Sequence, residues 1–304
     1  MAKNVKQILF PLLAAFIWGT AFVAQRISTD RVEPMTFNAA RSAIAFVVLL
    51  VILRLFSAVQ KHKNNAALSL GSKKDLLLAS LCCGTALMLA VNLQQAGLAY
   101  TTVGKAGFIT ALYIVLVPIF GLFLKKRVTL AVWISVLLAA VGLYFLCITE
   151  SFSITRGEIV VLISAALFAT HILLVDHFTQ KVNGIALSCG QFLVVTLLSA
   201  IGALLFEQPS LSAILACLGP ILYVGIFSSG VAYTLQILAQ KDGNPTVVCL
   251  LLSMEAVFST LAAAVILHET LSRREYLGCA LMLLAVILAQ IPFPEKKLHN
   301  TDSQ

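Results

Sequence analysis

The chain is predicted to be an all-α membrane protein: ten transmembrane helices arranged as two inverted five-helix repeats. Three observations predict this. Of its 304 residues, 60% are hydrophobic and 11% are charged, against roughly 45–50% and 25% in soluble domains, so the polar surface that a soluble globule needs is missing. The apolar residues gather into ten segments, each about long enough at 1.5 Å per residue to cross a hydrocarbon layer of roughly 30 Å. The last five segments also echo the first five. Ala15-Phe16-Ile17-Trp18-Gly19-Thr20 recurs as Ala165-Ala166-Leu167-Phe168-Ala169-Thr170, and Leu93-Gln94 recurs as Leu235-Gln236. A five-span unit followed by its copy must lie the opposite way up, the arrangement found in many secondary transporters.

Taken in order, the spans are placed at 8–26, 36–57, 75–98, 103–124 and 128–148, then at 157–177, 184–206, 213–240, 246–268 and 275–292. The repeats are thus 8–148 and 157–292. Lys3 and Lys6 before an apolar run have the look of a signal peptide, but the match between this run and 157–177 reads it as a retained first span. Only Tyr100-Thr101-Thr102 separates the third span from the fourth. The eighth span holds Gly219-Pro220 and Ser228-Ser229-Gly230, which predict a kink or break. The Lys-rich stretch 58–74 reads as a solvated connector. Fourteen Lys and Arg residues, from Lys3 and Lys6 to Lys296 and Lys297, fall on one side of this layout and six on the other, with Arg41 inside a span. The excess places both termini in the cytoplasm.

Composition and motifs exclude several function classes. The net charge of +8 is spread over loops and forms no basic patch with interleaved aromatics, so no nucleic-acid partner is expected. The seven cysteines form no CxxC pair and read as small buried hydrophobes. His268-Glu269 lacks the second His of a zinc-protease helix, and there is no Walker loop or dinucleotide glycine fingerprint. The expectation is therefore no catalytic set, no metal, no cofactor and no enzyme.

The residues expected to matter are polar ones inside apolar spans. Glu255 lies about ten residues into the ninth span, where an ionised carboxylate is costly unless it is paired, hydrated or protonated. Arg41 is the cation deepest in a span; it either meets Glu255 or snorkels to the headgroups. Asn92 and Gln95 share one face of the third span with Gly84 and Met88, and Tyr233, Gln236 and Gln240 share one face of the eighth with Ser229. Amides in lipid need partners, so both stripes face protein or a cavity. Tyr113 aligns with Glu255 at the offset of 142 that relates Leu93 to Leu235, and Thr110 lies one turn before it. Trp18 sits away from the interfacial belt and leans toward a cavity. His171 can relay protons, with a hydrogen-bonded packing role as the competing reading. The candidate solute-binding set is Trp18, Asn92, Gln95, Thr110, Tyr113, Tyr233, Gln236 and Glu255. The coupling candidates are Glu255, Arg41 and His171.

Three stretches resemble the drug/metabolite transporter superfamily, specifically its bacterial EamA-type ten-span permeases. They are Phe16-Ile17-Trp18-Gly19-Thr20-Ala21-Phe22, Gly107 to Tyr113 with Val117-Pro118-Ile119-Phe120, and Asn244-Pro245-Thr246 through Glu255-Ala256-Val257-Phe258 to His268-Glu269-Thr270-Leu271. The family's Gly-Glu pair appears here as His268-Glu269, and Lys126 replaces the acidic partner in the first half. The resemblance spans roughly residues 8–292. It implies a central cavity between inverted repeats and alternating-access transport of a small polar metabolite, such as an amino acid, across the bacterial cytoplasmic membrane. Proton coupling is compatible with it. The partners implied are a small solute and membrane lipid, and the oligomeric state is left open. The alternative is a membrane-embedded lipid translocator or enzyme.

Overall fold

The computed structural model describes residues 2–64, 69–101, 103–125, 128–147, 155–266 and 272–290. Among them the regular structure is entirely helical, and eight helical stretches are long and apolar enough to cross a membrane. The chain runs through α1 (Ala2–Ser28), α2 (Pro34–Asn64), α3 (Lys73–Leu98), α4 (Val103–Ala111), α5 (Tyr113–Phe123) and α6 (Leu130–Cys147). It continues through α7 (Arg156–Phe178), α8 (Gly184–Phe206), α9 (Leu211–Ala216), α10 (Leu218–Tyr223), a π-helical segment (Val224–Ala232), α11 (Tyr233–Asp242), α12 (Pro245–Leu252), α13 (Glu255–Ile266) and α14 (Arg273–Gln290).

Local chemistry sets the helix starts. Thr155 and Glu158 form a reciprocal capping box at α7. Asn183 accepts from the backbone N–H of Ile185 and Ala186 at α8, and Asn244 caps α12 ahead of Pro245.

The fourth and ninth spans, expected as continuous helices, are each broken in the middle. Leu112 interrupts the first of these, between α4 and α5. Ser253-Met254 interrupts the second, between α12 and α13, and Met254 stands 142 positions after Leu112. At the second break Ser253 Oγ donates to the Leu250 carbonyl at 2.8 Å, competing with the helical backbone pattern. The eighth span deviates where its Gly, Pro and Ser residues predicted. It divides into short helices near Gly219-Pro220 and becomes π-helical across Ser228-Ser229-Gly230.

Packing crosses the sequence halves. α1 packs mainly on α10–α13 and the π segment, while α7 packs on α3, α4 and α5. α2 lies against α8, and α6 against α14. Arg274 stacks over Tyr144 and Phe145 of α6, 5.0 and 5.4 Å from the ring centroids. Glu275 accepts from the N–H and Oγ of Ser272 rather than pairing with Arg274. Glu269, His268 and Lys126 lie outside the described residues.

One end of the bundle is tied by carboxylates. Glu207, just after α8, accepts from Met35 N at 2.7 Å and from Thr36 N and Oγ1 at 2.8 Å, capping the α2 N-terminus from across the α2–α8 contact. Glu33 returns the arrangement by accepting from Gln208 N at 2.8 Å. Lys105 pairs with Glu158 at 3.2 Å. At the other end Asn183 N donates to the Leu70 carbonyl at 3.2 Å. There Gly71 takes a φ of +86°, and a Cβ would lie 2.6 Å from the Lys181 carbonyl.

Removing the Glu207 carboxylate leaves the first donors of α2 without a protein acceptor. Glu207→Ala is expected to lower unfolding free energy by about 1–2 kcal/mol, read as a lower melting temperature in detergent. Glu207→Gln keeps one acceptor oxygen and is expected to lose less.

Candidate functional site

The breaks bring polar side chains to the centre of the bundle. Tyr113 opens α5 and Glu255 opens α13, and the Tyr113 hydroxyl donates to Glu255 Oε1 at 3.1 Å. Glu255 is 3% exposed. Its place in the first turn of α13 suits a carboxylate, because the positive end of the helix dipole lies there. α1 comes close here because Gly19 has no side chain. A Cβ at Gly19 would lie 2.8 Å from the Glu255 carbonyl and 2.7 Å from Phe258 Cβ.

Glu255 and Tyr113 line a buried cavity with Trp18, Gln25, Arg41, Gln94, Thr110, His171, Ser228, Tyr233 and Gln236, closed by Phe22, Phe168, Ile172 and Leu252. Its free volume is about 40 Å³, room for about three water molecules. The cavity is therefore contracted around its polar groups. Trp18 Nε1 donates to the Ser228 carbonyl of the π segment at 3.2 Å, and the Trp18 ring lies 4.8 Å from that of Tyr233. Gln94 Nε2 donates to Thr110 Oγ1 at 3.1 Å.

Arg41 is 3% exposed. Its Nε donates to Asn38 Oδ1 at 2.6 Å, and its guanidinium lies 5.9 Å from the centroid of the Phe37 ring. Arg41 and Glu255 thus share the cavity, and among the described residues no ion pair joins them. Two further polar atoms of the wall have no protein partner, His171 Nδ1 and Gln236 Oε1. Unmet buried groups of this kind cost about 1–3 kcal/mol each, and a ligand or water that meets them recovers that cost.

Six of the eight residues expected to bind solute line this cavity, as do all three coupling candidates. Asn92 and Gln95 do not. Asn92 donates to the Met88 carbonyl and Ser199 Oγ and accepts from Asn38, while Gln95 Nε2 donates to the Gln25 carbonyl at 3.3 Å. Both hold helices together. Gln25, Gln94 and Ser228 were not among the expected residues, although the repeat of Leu93-Gln94 in Leu235-Gln236 pointed to Gln94. The wall also pairs matching positions of the two sequence repeats: Trp18 with Phe168 and Phe22 with Ile172 at an offset of 150, and Gln94 with Gln236, Thr110 with Leu252 and Tyr113 with Glu255 at 142.

A second, larger cleft of about 800 Å³ lies between the ends of α5 and α7. Phe120, Phe123, Leu173 and Leu174 give it an apolar wall, Asp176, His177 and Lys181 stand along it, and it shares no lining residue with the central cavity.

The sequence profile of the EamA-like transporter family matches this chain twice, over residues 5–148 and 155–290. An uncharacterized transporter of Archaeoglobus fulgidus is 32% identical over 298 residues, which cover 95% of this chain and 88% of that one. The uncharacterized transporter YwfM of Bacillus subtilis is 28% identical over 288 residues, covering 92% of each. A crystal structure of a protein 21% identical superposes with a TM-score of 0.74, covering 93% of this chain and 96% of the other, a likeness of fold.

The contact at Gly19 yields a direct test. Gly19→Ala inserts a methyl group where backbone and Phe258 already stand, and it is expected to destabilise by about 1–3 kcal/mol. Thermal unfolding in detergent measures this.

Proposed function

The chain belongs to the EamA-like transporter family, and on that premise we propose that it is a secondary transporter for a small zwitterionic metabolite, such as an amino acid or related compound. In this reading two five-helix repeats, 8–148 and 157–292, form ten spans of inverted orientation in a bacterial cytoplasmic membrane, with both termini inside. The solute binds at mid-membrane, and alternating access exposes the site to each side in turn.

The observation that carries the reading is that a basic and an acidic side chain, Arg41 and Glu255, share one buried cavity with no ion pair between them among the described residues. Each alone is expensive in a low-dielectric interior. A zwitterion offers a carboxylate to the guanidinium, whose planar donors suit it, and an ammonium group to Glu255. Trp18 and Tyr233 add aromatic faces that attract a cation. The cavity is too small for such a solute as it stands, so the helices around it separate to admit one. Packing makes the natural moving bodies α1 with α10–α13 and α7 with α3–α5. Glu255 takes up a proton when no ammonium group is present, which couples solute movement to the proton gradient. A lipid translocator would call for a lateral opening beside Arg41 and Glu255, and the α5–α7 cleft reaches neither residue.

Binding of a solute raises apparent stability by about 2.7 kcal/mol at a hundredfold excess over Kd. Among amino acids, nucleosides, polyamines and sugars, stabilisation is expected from amino acids and is lost in Glu255→Ala and Arg41→Ala, each truncation costing about 2–5 kcal/mol of binding. Stabilisation by polyamines alone would refute the role given to Arg41.

Transport in proteoliposomes is expected to depend on pH in the native protein. Glu255→Gln is expected to abolish that dependence, and a retained dependence removes Glu255 from proton coupling.

A further inference from the structure

The hydrogen-bond polarity of the central cavity is decided by two amide side chains that do not line it. A backbone carbonyl can only accept, and this fixes the first link of each relay. Gln240 Nε2 donates to the Ile172 carbonyl at 3.0 Å. The Gln240 amide is thereby oriented with Oε1 as its free acceptor, and that oxygen receives Gln236 Nε2 at 3.1 Å. The amide of Gln236 is oriented in turn. Its Oε1 is left as a bare acceptor, without a protein partner, on a side chain that is 1% exposed and lines the cavity. Turning either amide over would set oxygen against oxygen.

The other relay has the opposite outcome. Asn38 Nδ2 donates to the Val91 carbonyl at 3.2 Å, so Asn38 Oδ1 accepts, and it takes Arg41 Nε at 2.6 Å. One relay therefore ends in a cation and the other in a naked carbonyl oxygen, and Glu255 shares the cavity with both.

We propose that Gln236 Oε1 is a specificity-determining acceptor for an N–H of the solute's ammonium group, acting alongside Glu255, and that Gln240 and Asn38 are positioning residues that hold the acceptor and donor poles. This deepens the reading of a zwitterionic solute and rests on it. Glu255 responds to positive charge whatever substituents the nitrogen carries. Gln236 Oε1 responds to N–H. A quaternary ammonium satisfies the first and leaves the second unmet, and a site built to hydrogen-bond a group rejects the analogue that lacks it. The site thus distinguishes a primary amine from its fully methylated form.

The test is a calorimetric titration of the full-length protein in detergent with L-alanine, N-methyl-L-alanine and N,N,N-trimethyl-L-alanine. The native protein is expected to lose affinity by about a hundredfold or more from the first compound to the last. In Gln236→Met, which matches the length without the acceptor, and in Gln240→Met, L-alanine is expected to bind about tenfold more weakly, and the loss on trimethylation to shrink by about tenfold. Any crowding of the methyl groups is common to native protein and variants, so the difference between their losses reports the acceptor. A Gln240 that merely glued α11 to α7 would shift all three affinities together. Equal losses in native protein and variants overturn the proposal while leaving zwitterion transport intact. Should the variants fail to fold, the native series decides, and equal binding of L-alanine and its trimethyl form overturns the proposal. If none of the three compounds binds, the zwitterion reading falls and this proposal falls with it.

Discussion

Polar groups inside a bilayer have no water to turn to, and this constraint organises the centre of the protein. Its focus is the hydrogen bond from Tyr113 to Glu255, which joins the starts of two half-helices. A continuous helix at either position would bury the same side chains without the positive end of a helix dipole beside them. Breaking both spans at matching places supplies that dipole end at each residue, and Tyr113 and Glu255 meet there in a hydrogen bond. The absent side chain of Gly19 then lets α1 close over the junction. The cavity, the aromatic faces of Trp18 and Tyr233 and the two amide relays are arranged around this point.

The same constraint explains how the polar residues of α3 divide. Gln94 meets Thr110 at the cavity, whereas Asn92 and Gln95 spend their hydrogen bonds on neighbouring helices. Neighbouring amides on one helix thus do different work because successive residues point about 100° apart. Matching positions of the two repeats have also diverged. Thr110 corresponds to Leu252, and the phenol of Tyr113 corresponds to the carboxyl of Glu255. The cavity wall draws on matching positions of the two sequence repeats but is chemically lopsided, with the carboxyl on one side facing a phenol on the other.

Much of this was legible in the sequence. Apolar run lengths marked the eight helical stretches long enough to cross a membrane among the described residues, and the offset of 142 paired Tyr113 with Glu255, which the structure joins by a hydrogen bond. Gly219-Pro220 and Ser228-Ser229-Gly230 marked the irregular eighth span. The choice of Gln95 over Gln94 followed a helical-face argument with Asn92, and that face turns toward packing. The internal repeat of Leu-Gln was the better guide, because it reports position relative to the pseudo-equivalent helix. The break at Leu112 left no trace, since neither glycine nor proline stands there, and Ser253 is a weak signal alone. Nor does residue order reveal that α1 packs among the helices of the second half, because sequence proximity favours neighbours that this fold does not use.

That exchange of first helices has a consequence for synthesis. α1 leaves the ribosome before α2–α14, yet its Trp18 rests on Tyr233 and the Ser228 carbonyl. At roughly 5–20 residues per second, the chain from residue 18 to residue 233 takes on the order of 10–40 s to make. Throughout that interval α1 stands in the membrane without its final neighbours, its indole N–H facing lipid, a provisional companion or the insertion machinery. A helix made before α2–α14 thus finds its place only after α11 has followed it, and the site is completed only once both halves of the sequence are in the membrane.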